Sequence, residues 1–434
     1  MKAANEAWIH AQESEVLRFI TAGSVDDGKS TLIGRLLLDS QGVFADQLEA
    51  INRSKYRRAA ENELDLALLT DGLEAEREQG ITIDVAYRYF ATPQRKFIVA
   101  DAPGHEQYTR NMLTGASTAQ AAIILIDASK AQDGQLLTQT RRHTTLAALL
   151  GIRHIVVAIN KMDLVNWDEA VFNRIQAAYA DLAAQVGIEH FYAIPISALQ
   201  GENIAHASTL TPWYQGEALL PLLEHLPLTD TAESEQVRLF VQWVIRHDGH
   251  AAEAFRGYAG QLESGHLQVG DRIRVWPSQQ EAQIRALYRA DQPVEQVQAG
   301  DPITIVLDKE LDISRGDLLT LANNTVTTTR EFDAELCWLD EQALSLPRTY
   351  WLKQGSRLTQ AKIRTIHQVR DIQTLQPNAT SSDLRMNDIA SVRVQCRDPL
   401  VIEDYAEQPI TGSFILIDSA TNQTAAAGLV QQIG

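Results

Sequence analysis

Residues 17–38 constrain this 434-residue chain more than any other stretch. Leu17-Arg18-Phe19-Ile20 reads as a strand, Gly23-Ser24-Val25-Asp26-Asp27-Gly28-Lys29-Ser30 as a glycine-bearing loop, and Ser30 to Leu38 as an amphipathic helix. Glycine, four free positions, then Gly-Lys-Ser between a strand and a helix is a phosphate loop. Its glycines let successive backbone N–H groups turn inward around phosphate oxygens, and the helix N-terminus adds positive field. Lys29 is placed to reach the β- and γ-phosphates and the Ser30 hydroxyl to ligate Mg²⁺, with Thr31 completing the binding run. The amino-terminal part must then be an α/β nucleotide-binding domain.

The rest of the first half continues the alternation. Ile123-Ile124-Leu125-Ile126, Ile155 to Ile159 and Ala193 to Ile196 are short apolar runs, as strands buried on both faces require. Gln135 to Leu150 and Trp167 to Val186 read as helices between them. Asp84 to Phe90 alternates, with Lys96 to Ala100 as its expected pairing partner. Such an order predicts a mostly parallel sheet covered by helices. After Leu226-Pro227-Leu228 the pattern changes. Phe240 to Val244, Gln261 to His266, Val269 to Ile273 and Ile303 to Leu307 read as short strands punctuated by turn residues, as in a β-barrel. Phe332 to Trp338, Ala361 to Val369, Ile389 to Cys396 and Phe414 to Ile417 form a second such region, beyond a Thr- and Asn-rich seam at Leu321 to Thr329. The expected fold class is an α/β P-loop domain over residues 1–230 followed by β-barrels over 231–326 and 327–434. A loose prior of ~150 residues per domain agrees with three.

The phosphate loop does not choose the base, but Asn160-Lys161-Met162-Asp163 does. Directly after an apolar strand, the Asp163 carboxylate can accept from the guanine N1–H and 2-amino group, whereas adenine would leave it unpaired. Asn160 can bridge base and phosphate loop, the Lys161 stem can cover the purine face, and the amides of Ser197-Ala198-Leu199 are placed to meet the guanine oxygen. Asp101-Ala102-Pro103-Gly104-His105 ends another strand. There Asp101 can hold Mg²⁺ through a water, the Gly104 N–H can bond the γ-phosphate, and His105 can orient the attacking water. In Arg77-Glu78-Gln79-Gly80-Ile81-Thr82-Ile83, Thr82 is placed to complete the Mg²⁺ shell while the γ-phosphate is present. The site so read takes GTP and Mg²⁺, with His105 and Lys29 as its catalytic residues.

Composition excludes other classes. The net charge of −18 disfavours wrapping a phosphate backbone, so no nucleic-acid partner is expected. Two cysteines, Cys337 and Cys396, are too few for a disulfide scaffold and read as core thiols. No apolar run approaches the ~18 residues of a membrane span, and Met1 to Val16 is polar, so a cytoplasmic protein without membrane contact is expected. Three features read as plain structure: Arg141-Arg142-His143 as a solvated helix face, Trp213-Tyr214 as packing under a barrel, and Asp26-Asp27 as carboxylates of which at least one turns away from the phosphates or meets a cation.

Together these residues resemble the translation-factor class of GTPases, a GTPase domain followed by two barrels. Phe255-Arg256-Gly257-Tyr258-Ala259-Gly260, with Ser264-Gly265 and Gly270-Asp271, is similar to that class's first barrel. Within it, Ser24 to Leu37, Asp71 to Phe90, and Gln139 to His143 before Leu150-Gly151-Ile152-Arg153-His154 resemble the large, GTP-hydrolysing subunits of bacterial sulfate adenylyltransferase (CysN-type). Elongation factors usually have His or Ser where this chain has Asp27. The resemblance implies a GTPase coupled to the reaction of ATP and sulfate to adenosine 5′-phosphosulfate and pyrophosphate. It also implies a heterodimer with a small, ATP-pyrophosphatase-like (CysD-type) subunit that performs the adenylyl transfer. Consistently, the chain has no adjacent Gly-Gly pair for a pyrophosphate loop and no second Gly-Lys-Ser/Thr site for a fused kinase. The competing readings are an elongation factor delivering aminoacyl-tRNA and a GTP switch with no metabolic partner reaction.

Overall fold

The computed structural model describes residues 16–40, 66–69, 84–105, 108–228, 235–247, 255–371, 377–378 and 383–431. They form two compact units, divided after Leu228.

The first is built on a six-stranded sheet: β1 (Val16–Ala22), β2 (Ala86–Ala91), β3 (Lys96–Asp101), β4 (Ala121–Asp127), β5 (His154–Asn160) and β6 (Phe191–Pro195), in the order β2-β3-β1-β4-β5-β6. Only β2 runs antiparallel, opposite β3; the other neighbours are parallel, as the continuous apolar runs predict. Every residue of β4 is buried. Helix α1 (Lys29–Asp39) follows the phosphate loop and buries Leu32, Ile33, Leu36 and Leu37. Next come α2 (Thr109–Ala116), α3 (Thr138–Leu149), α4 (Glu169–Val186) and α5 (Leu219–His225). Helix α4 starts where the Asp168 carboxylate accepts from the Ala170 N–H at 2.7 Å. It ends at Gly187, whose φ of 81° suits the left-handed cap. Between them Val171, Phe172, Ile175, Tyr179 and Leu182 recur on one buried face. Each fully buried Leu, Ile or Phe contributes about 1.5–3 kcal/mol, so burial of this face is what holds the helix on the sheet.

The second unit carries both β structures. In the first, strands β7 (Leu239–Phe240), β8 (Trp243–His247), β9 (Phe255–Gln261), β11 (Arg272–Trp276), β12 (Glu281–Arg289), β15 (Pro302–Leu307) and β16 (Leu318–Leu321) form a ladder in the order β7-β16-β11-β12-β15-β9-β8, while the short β10 (His266–Gln268) and β14 (Gln296–Gln298) pair with each other and β13 (Gln292–Val294) with β12. The expected strand Phe240 to Val244 is split. Its start pairs with β16, Gln242 N–H bonds Ala259 O at 2.8 Å, and the chain continues as β8 beside β9. A single alternating run cannot show that its residues change partners. Likewise Gln261 to His266 is mostly a connection, turning at Gly265 (φ 76°). The second β structure is a closed barrel. β17 (Thr328–Trp338), β18 (Tyr350–Gln354), β19 (Arg357–Arg370), β21 (Ile389–Val401), β22 (Ser413–Asp418) and β23 (Thr424–Val430) run β18-β22-β23-β17-β21-β19 and back to β18, with the short β20 (Pro377–Asn378) paired to the end of β19. Phe332, Leu336, Trp338, Tyr350 and Phe414 fill its interior, and both cysteines are buried thiols outside any disulfide, as expected. Fully buried Arg238 reaches from the first β structure to Glu403 of the second with two hydrogen bonds, at 2.8 and 2.5 Å.

Candidate nucleotide site

The residues singled out in the first unit converge on one edge of its sheet. Gly23 follows β1, Asp101 ends β3, Asp127 ends β4, Asn160 ends β5 and Ser197 lies just past β6. Strand β1 sits between β3 and β4, where the strand order reverses, and ligands of open α/β sheets bind at the carboxyl ends there.

The phosphate loop is shaped by two left-handed residues, Asp26 (φ 65°) and Gly28 (φ 95°). Gly28 is required for space as well, since a Cβ there would lie 2.4 Å from Asn160 Nδ2. Helix α1 begins without a side-chain cap, so its first N–H groups remain available to an anion. The Lys29 ammonium donates to Ser24 O at 2.8 Å and Gly23 O at 3.2 Å. Burial pushes its pKa down, against the pull of the Asp101 and Asp27 carboxylates. Asp27 is fully buried and turns under the loop, its Oδ2 accepting from the Ser24 N–H at 2.6 Å. Burial pushes its pKa up, opposed first by Lys29. The puzzle of two carboxylates in a phosphate cradle resolves for Asp27, which faces the protein.

Asn160 ties the loop to the segment after β6. Its Nδ2 donates to Asp27 O at 2.8 Å and its Oδ1 accepts from the Ala198 N–H at 2.9 Å. Lys161, left-handed at φ 61°, donates to Asp26 O at 2.6 Å and Asp127 Oδ2 at 2.7 Å. Burial alone would raise the Asp127 pKa, but hydrogen bonds from Lys161 and Ser129 hold it below the usual carboxylate range. Met162 is buried, with its N–H on Ile196 O. The half-buried Asp163 carboxylate has no hydrogen-bond partner among the described residues. Of the three amides in Ser197-Ala198-Leu199, those of Ser197 and Ala198 are engaged by Glu202 O and Asn160 Oδ1, leaving Leu199's.

The Asp101 to His105 segment lies against the loop. A Cβ on Gly104 would sit 2.5 Å from Lys29 Nζ and 2.9 Å from Val25 N, so only glycine lets the two segments touch. Buried Ala102 and Pro103 lead the chain there, and Gln139 Nε2 holds Gly104 O at 3.1 Å. His105 is half-buried, its ring 6.0 Å from that of Tyr108. Asp101 accepts from Thr21 Oγ1 at 3.3 Å and Ser30 Oγ at 3.4 Å. A hydroxyl and a buried carboxylate side by side beneath a phosphate cradle are the hard oxygen donors Mg²⁺ takes, so these residues fit that ion. Thr82 lies outside the described residues.

The elongation factor Tu GTP-binding domain family matches residues 14–244, elongation factor Tu domain 2 matches 258–320, and the eEF1A C-terminal-domain-like family matches 331–431. The chain is 47% identical to sulfate adenylyltransferase subunit 1 of Erwinia tasmaniensis over 98% of its own length and 88% of the relative's. The same protein of Citrobacter koseri is also 47% identical, over 98% and 89%. The chain belongs to the sulfate adenylyltransferase subunit 1 family. Its fold is also that of the Ski7 GTPase-like domain of S. cerevisiae bound to GTP, with a TM-score of 0.54, 16% identity and 98% of both chains covered.

Membership of this GTPase family makes GTP the nucleotide. Several residues around the site escaped the sequence reading. Asp127 anchors Lys161, Lys130 donates to Val25 O at 3.3 Å, and Arg35 donates to Ala198 O at 3.3 Å and Leu199 O at 2.6 Å. Asp127 could have been suspected, since like Asp101 it ends an apolar strand; Arg35 and Lys130 carry no such signal. His143 requires a correction. The Arg141 to His143 run is not simply a solvated face, because His143 is fully buried and accepts from the Gly23 N–H at 3.1 Å. Trp213 packs on Phe172 of α4 with ring centroids 5.2 Å apart, inside its own unit. Among the described residues no helix is long and apolar enough to cross a membrane.

Proposed function

We propose that the chain is the GTP-hydrolysing subunit of a two-subunit, cytoplasmic sulfate adenylyltransferase, with domain limits near 230 and 326. GTP hydrolysis here drives formation of adenosine 5′-phosphosulfate and pyrophosphate from ATP and sulfate on a small, ATP-pyrophosphatase-like (CysD-type) partner subunit. The observation that carries this is 47% identity to sulfate adenylyltransferase subunit 1 over 98% of the chain.

In this reading Gly23 to Thr31 bind the phosphates, Lys29 moves from backbone carbonyls to the β- and γ-oxygens, and Asp163 reads guanine. Ser30, Asp101 and Thr82 would hold Mg²⁺, which would supply positive charge to offset that on the β- and γ-phosphates. Gly104 senses the γ-phosphate, and His105 orients the attacking water. The partner couples to hydrolysis by favouring one nucleotide state, because a ligand indifferent to both states shifts neither. The test is the GTPase rate with and without the small subunit, ATP and sulfate. It should rise when all three are present; a rate indifferent to them sinks the coupling.

A further inference from the structure

The phosphate loop is gripped from beneath by buried side chains. Its first two amides point into the protein, Gly23 N–H to His143 Nδ1 at 3.1 Å and Ser24 N–H to Asp27 Oδ2 at 2.6 Å. Both side chains are fully buried, and each leaves its second polar atom, His143 Nε2 and Asp27 Oδ1, without a partner among the described residues. An imidazole that accepts at Nδ1 is neutral and carries its proton on Nε2. Burial, with Lys29 and then Arg142 nearby, pushes its pKa down to about 3, so the ring stays neutral through the physiological range and is no proton carrier there. What it offers is a fixed acceptor. An apolar side chain would fill the same place without burying an unpaired N–H, but would orphan the Gly23 amide instead.

We propose that His143 is a positioning residue for the phosphate loop: acting through the Gly23 N–H, it holds the loop in its nucleotide-receiving curve before the nucleotide arrives. This rests on the reading that the phosphates lie over Gly23 to Ser30. Without the acceptor, the nucleotide-free loop spreads over other conformations and apparent affinity falls by the fraction still competent. The Gly23 N–H is turned to His143, so losing its acceptor loosens the loop that GTP and GDP share, and both lose affinity equally. A loss shared by ground and transition states shows in KM rather than kcat.

The test titrates fluorescent GTP and GDP analogues onto the full chain and its His143→Leu, His143→Asn and Lys29→Ala variants, with steady-state GTPase kinetics. His143→Leu should weaken both nucleotides by about tenfold, the scale of one buried hydrogen bond. His143→Asn, whose Oδ1 can stand in for Nδ1, should restore most of the loss, a rescue that bulk packing would not give. Hydrogen exchange on the nucleotide-free native chain adds a readout independent of variant folding: the Gly23 amide should be protected like those of β1. An unprotected Gly23 amide, a loss confined to GTP, or a His143→Leu chain that melts earlier yet binds both nucleotides normally overturns the role. Lys29→Ala separates the two layers. If it alone loses binding, only the positioning role falls; if it binds normally, the phosphate-loop reading falls first.

Discussion

The two units treat buried polar groups in opposite ways. In the barrel unit, buried charge meets opposite charge: Arg238 with Glu403 at 2.5 Å, Arg348 with Asp418 at 2.5 Å, Arg357 with Asp317 at 2.9 Å. Around the phosphate loop, charge mostly faces backbone. Lys29 donates to two carbonyls, Lys161 to a third, and Asp27 accepts from an amide. Three buried atoms there, Ser24 Oγ, Asp27 Oδ1 and His143 Nε2, have no partner among the described residues, against Arg256 Nε in the barrels. Arg256 still bonds Glu310 through Nη1. Paired charges complete one another and hold a shape. Charges bound to backbone dipoles leave field to spare, which is what a polyphosphate uses.

That contrast can be broken or sharpened by experiment. Asp163→Asn should shift preference from guanine to xanthine nucleotides by roughly 10⁴-fold, the scale of a hydrogen-bonding specificity site; unchanged GTP selectivity in competition binding would refute the base-reading role. Arg238→Ala should take a fully buried guanidinium from the half-buried Glu403 carboxylate, leave it only the Thr411 hydroxyl, and destabilise the barrel unit by about 3 kcal/mol in urea unfolding, without altering nucleotide preference. Loss of GTP-over-ATP selectivity in that variant would erase the division between the units. His105→Ala should slow turnover by roughly 10²-fold with little change in GTP affinity; normal turnover with poor affinity would assign His105 to ground-state binding. The smallest effect is on acid stability. Burial holds the His143 pKa down at about 3, against 6.5 for a free imidazole, so below 6.5 the unfolded chain binds a proton that the folded chain does not. Its contribution is complete above 6.5 and declines on acidification toward about 3, by up to about 1.4 kcal/mol per pH unit. Thermal melts of His143→Asn should show a shallower acid limb between pH 6.5 and 5, and an identical limb would place the sensitivity elsewhere.

Much of the site was legible because its chemistry is local. Gly23 to Ser30, Asp101 to Gly104 and Asn160 to Asp163 each occupy one strand end, where residue type and spacing state the geometry. The strands of the first unit were legible for the same reason, being apolar on both faces. The first β structure was less so: Phe240 to Val244 changes partners midway, and pairing is a property of two segments. His143 was misread because one turn of helix with two arginines looks solvated, and only the packing of α3 shows that its imidazole faces inward.

The order of residues alone determined that the chain must fold an α/β domain around a phosphate loop and that β structure must follow, because these rest on contacts within a few residues. Tertiary structure decided which side chains serve the loop from a distance. His143 reaches Gly23 across 120 positions and Asn160 reaches Asp27 across 133. Such partners are chosen by which strands lie side by side, and that adjacency is a bargain among all the buried faces at once.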